Sequence, residues 1–286
     1  MSKAQIIERE RRWAGPASAA AAAAVVLYLV SIFIEQGAGL QSDGPESEQL
    51  RSFHEHAGAL LASTIVRGFG FALMSLPLLY LFRAAQARSD RVRPEMVGFC
   101  FLGPALLAVQ GVVAWIASQN VADEFIGRAV AGGHAARIAK DLIDNDATRQ
   151  VASALLIPAV LGMAVALVYI PLQAVRTGLL SRFWGTLGMA LGASMFLIFP
   201  IALLAILLWL IYLALLFQGR APGGVPPAWP AGEAIPLEVP GEKAPAASAA
   251  GGDGPPAGED PEAPDAAGSN ARRQPAKRKR KRRRQA

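Results

Sequence analysis

Apolar and polar residues are segregated along this chain rather than alternated, and long apolar runs carry the pattern. The longest, Leu180–Phe217, is interrupted only by Ser181, Arg182, Thr186, Ser194, Pro200 and a few glycines. As one helix it would extend about 57 Å at 1.5 Å per residue, far more than the roughly 30 Å of a bilayer's hydrocarbon core. Proline removes a backbone donor and disfavours helix at the residue before it. The run is therefore expected to form two segments, Leu180–Ile198 and Ile201–Phe217, doubling back through a tight turn at Phe199-Pro200.

Four further runs have the length of a membrane-crossing helix: Ala17–Ile34, Ala57–Phe82, Val97–Ser118 and Val151–Val175. The predicted fold class is all-α, a polytopic helical membrane bundle of six spans over residues 17–218. Residues 1–16 precede it as a cytoplasmic N-terminus, and residues 219–286 follow as a disordered Pro/Ala-rich linker with a polybasic end. A signal peptide is the rival reading of the first run, with Gln36-Gly37-Ala38-Gly39 as a cleavage site. An apolar signal core rarely exceeds about 15 residues, and this run is longer, so it is read as a retained span.

Composition agrees with that division. Hydrophobic residues make up 53% of the chain and charged residues only 17%, and the charges cluster between the apolar runs. The single cysteine, Cys100, lies inside one of those runs and reads as a small buried hydrophobe. Beyond Gly219 the chain turns to Pro, Gly, Ala and acid, which bury too little apolar surface to offset lost chain entropy.

The connections predict more structure than plain loops. Asp43-Gly44-Pro45-Glu46 has the proline and acid of a helix start, and that helix is expected to continue unbroken into the second span. Between Gln119 and Gln150, Val121, Phe125, Ile126 and Val130, then Ile138, Leu142 and Ile143, recur at helical spacing. One or two amphipathic helices broken at Gly132-Gly133 are expected there, over the bundle mouth or along the lipid surface.

Lys and Arg number four before the first span, one in the first connection (Arg51) and four in the second (Arg83, Arg88, Arg91, Arg93). The third holds four (Arg128, Arg137, Lys140, Arg149) and the fourth two. The third runs against the positive-inside rule. The N-terminus and second connection still place the N-terminus inside, and six spans return the C-terminus to the same side. Trp13 and Trp184 then fall at the inner boundary and Trp115 at the outer one.

Arg67 is the chief candidate for chemistry. It lies about ten residues into the second span, where an arginine costs on the order of 3 kcal/mol on insertion scales. With no obvious carboxylate in a span, the expected partners are Gln110, Gln173 or carbonyls freed below Pro158. An anion-binding or gating residue is one reading, a structural arginine satisfied by carbonyls and water the other.

His54-Glu55-His56 precedes the second span, and with His134 it forms a weak candidate metal site. Metalloprotease helices place two histidines at i and i+4 on one face, whereas this i, i+2 pair points to nearly opposite faces. Polar residues at headgroup level are the plainer account, and no metal is expected. Asp141, Asp144 and Asp146 lack the glycine and distal glutamate of a calcium loop and read as helix ends and caps. Gly185, Gly188 and Gly192 share one side of the fifth segment and predict close helix packing, within the chain before between chains.

No phosphate loop, nucleophile elbow or paired Cys-x-x-Cys occurs. No catalytic residue, cofactor or enzyme activity is therefore expected.

The terminal bases are Arg272, Arg273, Lys277, Arg278, Lys279, Arg280, Lys281, Arg282, Arg283 and Arg284. They suit anionic lipid head groups at about 1 kcal/mol each. RNA or the ribosome is the second choice, since the segment lacks the aromatics that stack on bases, and a solubilising tail is the third.

RFWGTLGMALG at Arg182–Gly192, the apolar hairpin after it and PGGVPPAWPAGEAIP at Pro222–Pro236 resemble an uncharacterised actinobacterial multi-spanning membrane family. The resemblance covers roughly Ser47–Pro240. It implies a bacterial plasma membrane and helical spans, and transfers no active-site residue. The leading functional expectation is a structural or interaction protein whose basic tail contacts anionic lipid or a cytoplasmic partner. The alternative is a small-solute or ion transporter using Arg67.

Overall fold

The computed structural model describes residues 2–39, 45–129 and 134–235. Every regular element among them is helical. In chain order these are α1 (Lys3–Gly37), α2 (Glu46–Glu55), α3 (Ala57–Gln86), a 3-10 turn (Pro94–Gly98), α4 (Phe99–Ala129), α5 (Ala135–Asn145), α6 (Ala147–Arg176), α7 (Arg182–Ser194), α8 (Phe199–Phe217) and the one-turn α9 (Ala228–Ala231). Four helical stretches are long and apolar enough to cross a membrane: Lys3–Gly37, Ala57–Gln86, Pro94–Arg128 and Ala147–Arg176. The protein has the helices of a multi-pass membrane protein.

Helices overrun the apolar runs that mark them, because backbone hydrogen bonding does not stop where hydrocarbon does. α1 begins within the charged N-terminus, where the Ser2 hydroxyl accepts from the Gln5 amide in a capping box. It ends at Gly37 rather than Ile34, which brings Glu35 into its last turn. α4 continues eleven residues past the expected end at Ser118. α2 and α3 do not form one helix: the chain bends at His56 (φ −112°, ψ 17°).

The doubled-back pair is present, but its turn lies earlier than expected. α7 stops at Ser194, the chain turns over Met195–Ile198, and Phe199 and Pro200 open α8. A proline in the first helical turn loses no hydrogen bond and has its φ already set, so it starts the returning helix instead of breaking the outgoing one. The Trp184 ring near the start of α7 stacks on Tyr212 of α8 at 3.8 Å, and Trp209 Nε1 donates to the Trp184 carbonyl at 3.0 Å. The pair is antiparallel.

α3 runs antiparallel to α1, and α8 also lies against α1, where the buried Ser18 hydroxyl donates to the Ala214 carbonyl at 2.9 Å. α4 and α6 cross where Gly103 meets Gly162 and Met163. A Cβ on Gly103 would lie 2.6 Å from Met163 Cα and 2.8 Å from the Gly162 carbonyl carbon. The Gly185, Gly188 and Gly192 stripe faces Val175, Pro171, Leu167 and Trp209, so it serves packing within the chain. The main core includes Leu78, Leu81, Met163, Leu167, Ile170, Ile206 and Trp209, all almost fully buried.

A second, smaller core forms where α2 and α5 pack on the far part of α4. It comprises Leu50, Val121, Ala122, Phe125, Ala139 and Leu142. Of the amphipathic residues of the long third connection, Val121, Phe125 and Leu142 are buried here and Ile126, Ile138 and Ile143 pack against them half-buried, while Val130 lies outside the described residues. The expected break at Gly132-Gly133 lies outside the described residues.

The largest departure follows α8. Residues 219–235, expected to be disordered, form a strap packed on the bundle. Trp229 Nε1 donates to the Leu179 carbonyl at 2.9 Å, and the Ile235 amide donates to the Thr177 carbonyl at 3.2 Å. Lys3 pairs with Glu233. Gly178, at φ +75°, lets the strap approach, since a Cβ there would lie 2.9 Å from the Ile235 carbonyl carbon. Prolines 222, 226, 227 and 230 reduce the chain entropy lost on docking, and Trp229 supplies the apolar surface. The linker from residue 236 and all the terminal bases from Arg272 to Arg284 lie outside the described residues.

Candidate functional site

Arg67 finds a carboxylate, contrary to the expectation of amide or carbonyl partners. Its Nη2 pairs with Glu35 of α1, while Nε donates to the Ser31 hydroxyl and Nη2 to the Ser63 hydroxyl, each at 3.3 Å. The Ser63 hydroxyl also donates to Glu35, at 2.7 Å. The Tyr28 ring lies under the guanidinium, 5.8 Å from centroid to Cζ, within cation–π range. Tyr28, Ser31 and Glu35 stand three and four residues apart on one face of α1, and the arginine extends along that face toward the helix end.

This arrangement offsets the cost of placing an arginine within a long apolar helix. Glu35 replaces lost hydration with a charge-assisted bond, and both side chains stay about one-third exposed, at 31% and 33%. A cleft of about 310 Å³ reaches the pair. It descends from Phe53 and Ser118 past Trp115 and Thr64 to Arg67 and Phe71, with Gln110 on its wall. The lining mixes hydroxyl, amide and apolar groups with one ion pair, a surface that can hold a small polar solute. Gln173 belongs elsewhere: it is buried three residues before the end of α6, where its carbonyl accepts from the Thr177 hydroxyl at 2.9 Å.

A second ion pair, which sequence reasoning did not single out, closes the opposite end. The Arg88 guanidinium pairs bidentately with Glu10 of α1 and donates to the Ala84 carbonyl at 3.0 Å. It also donates twice to the Ala228 carbonyl, at 3.2 and 3.0 Å, and lies over the Trp229 ring at 5.6 Å. Its side chain is wholly buried and that of Glu10 is 7% exposed. The Tyr80 hydroxyl donates to the Glu10 carbonyl at 3.1 Å, and its ring stacks on Trp229. α1, α3 and the strap are thereby pinned at one point.

The three histidines are not assembled into a metal site. His54 Nδ1 lies 2.8 Å from Asp123 Oδ1, and His56 Nδ1 lies 3.0 Å from the Ser52 carbonyl. His134 occupies the N-cap position of α5 without a side-chain capping bond. Among the described residues no group of three or more His, Cys, Asp or Glu side chains could hold a metal ion. Asp146 caps α6 by accepting from the Arg149 amide, and Asp141 accepts from the Asn145 side chain.

Compared with known proteins, the chain matches no family model, no curated protein and no solved structure.

Proposed function

We propose that this is a six-span protein of a bacterial plasma membrane, with both termini cytoplasmic, that binds a small polar solute in the cleft at Arg67. The observation carrying the solute reading is that the cleft reaches an intramembrane ion pair from the α2 side, while the strap and the buried Arg88–Glu10 pair close the other end. The six spans are α1, α3, α4, α6 and the antiparallel α7 and α8. α8 has 19 residues, about 28 Å of helix. α7 has only 13, but the buried Leu179 and Leu180 before it and Met195–Ile198 after it lengthen its path.

The orientation follows from charge. Lys3, Arg9, Arg11, Arg12, Arg83, Arg88, Arg91, Arg93, Arg176, Arg182 and Arg220 fall on the strap side, against Arg51, Arg128, Arg137, Lys140 and Arg149 on the other. Cysteine labelling in a Cys100→Ala background tests it. A membrane-impermeant maleimide is expected to reach cysteines at Ser42 and Asn145 in intact cells, and those at Ser89 and Ser269 only after permeabilisation. Labelling of Ser269→Cys from outside would sink the six-span reading.

For the solute site, Gln110→Cys in the same background is expected to react with a charged thiosulfonate from outside. A thermal-shift panel of amino acids, small carboxylates and polyols should then contain a stabilising solute, by about 2 °C or more, whose effect vanishes in Arg67→Leu. If Gln110→Cys stays inert and no solute separates the parent from Arg67→Leu, Arg67 is structural and the proposal fails.

A second reading, independent of the cleft, is contact between the basic tail and anionic lipid or another cytoplasmic partner. It is favoured because Ile235, the last described residue, is bonded to Thr177 on the basic side of the bundle. About 50 residues of Pro-, Gly- and Ala-rich sequence follow, and a linker of that length spans about 40 Å on average, within reach of the same membrane face.

A further inference from the structure

Between α1 and α3, at the level where the charged N-terminal part of α1 meets its apolar part, runs a groove of about 310 Å³. Trp13, Pro16, Leu76 and Leu79 line it, and Arg9 and Arg83 stand at its polar end. Along each helix the two levels are seven residues apart, Arg9 to Pro16 and Leu76 to Arg83, or about 10 Å. One end is cationic and the other hydrocarbon-like. Glu10 also borders the groove, with its carboxylate turned to the buried Arg88. Trp13 is 57% exposed, as a ring at the lipid–water boundary is when its apolar body faces acyl chains.

We propose that this groove binds one anionic phospholipid. Its phosphate lies at Arg9 and Arg83, and one acyl chain follows Pro16, Leu76 and Leu79 toward the bilayer interior. The charge argues for this occupant over the chain's own terminus, whose ten bases would be repelled by the same arginines. The site is distinct from the tail contact and the solute cleft. It rests on the orientation proposed above only for the leaflet it faces, which would be the cytoplasmic one.

The test is native mass spectrometry of the full-length protein released from detergent after titration with phosphatidylglycerol or phosphatidylcholine. Every variant keeps the same tail, so differences between variants report the groove, and the readout is independent of orientation. The parent is expected to retain one phosphatidylglycerol about 30-fold more tightly than phosphatidylcholine, whose choline cation offsets the phosphate charge that two arginines would otherwise meet at about 1 kcal/mol each. Arg9→Gln/Arg83→Gln should lose that preference, and Arg9→Lys/Arg83→Lys should keep most of it. Leu79→Trp, filling the apolar end, should weaken both lipids.

Thermal melts confirm that each variant is folded, and inorganic phosphate at millimolar concentration should not displace the lipid. Equal retention of the two lipids by the parent, or undiminished preference in the double glutamine variant, overturns the proposal. So does displacement by phosphate alone, which would leave a simple anion site. A lipid-free dimer dissociated by Leu79→Trp would also overturn it and identify a second copy as the occupant.

Discussion

Arg88→Ala is expected to cost about 3–5 kcal/mol of stability, the usual penalty for stripping one partner from a buried ion pair. The Glu10 carboxylate would remain at 7% exposure without its counter-charge, and the Ala84 and Ala228 carbonyls would lose a donor. Glu10→Gln should cost less, because the amide oxygen can still accept from the guanidinium. Glu10→Leu/Arg88→Met should recover part of the loss, since no lone buried charge is left. The strap gives a local readout. In a Cys100→Ala background, Ala228→Cys places a thiol at a position buried in the parent, and it should resist maleimide until Arg88 is removed. A melting curve for Arg88→Ala within about 1 kcal/mol of the parent, with the introduced thiol still protected, would show that the pair does not hold the strap.

The second large effect belongs to the α4–α6 crossing. Gly103→Ala is expected to destabilise by about 3 kcal/mol, at the upper end of overpacking costs. The new methyl would meet Met163 and Gly162 backbone, which cannot rotate away as a side chain can. Gly162→Ala should be milder, because its Cβ would sit 3.1 Å from Gly103 N and 3.2 Å from Gly103 Cα, a few tenths of an ångström too close. Gly68→Ala is the control, with only the Ala108 methyl at 3.7 Å. Thermal aggregation in detergent, followed by size exclusion, ranks the three. An order other than Gly103, Gly162, Gly68 would mean that the helices cross elsewhere.

Apolar runs announced the long helices because hydrocarbon tolerates little else at that length. What they concealed was where each helix stops. Ending the first at Ile34 placed Glu35 in a loop and left Arg67 without a carboxylate. The signal was present in Tyr28, Ser31 and Glu35, a polar stripe at helical spacing beside an apolar run. Gly103 was similarly hidden: the GxxxG spacing drew attention to Gly188 and Gly192, whereas the tighter approach uses one glycine from each of two helices distant in sequence. Proline and glycine content made residues 219–235 look unstructured. Composition weighs apolar area against entropy but does not register a tryptophan seated over an arginine from elsewhere in the chain.

The strap also sets an order of assembly. Arg88 and Ala228 are 140 residues apart, so a ribosome adding about 5–20 residues per second needs roughly 7–28 s between them. Throughout that interval the guanidinium is made but lacks its cover, and the N-terminal helix pair waits with an unfinished end. Closure therefore follows synthesis of nearly the whole helical part. A product that stops short of Trp229 would expose an uncapped charge pair and loose aromatic surface, features a membrane protease can read as incompleteness.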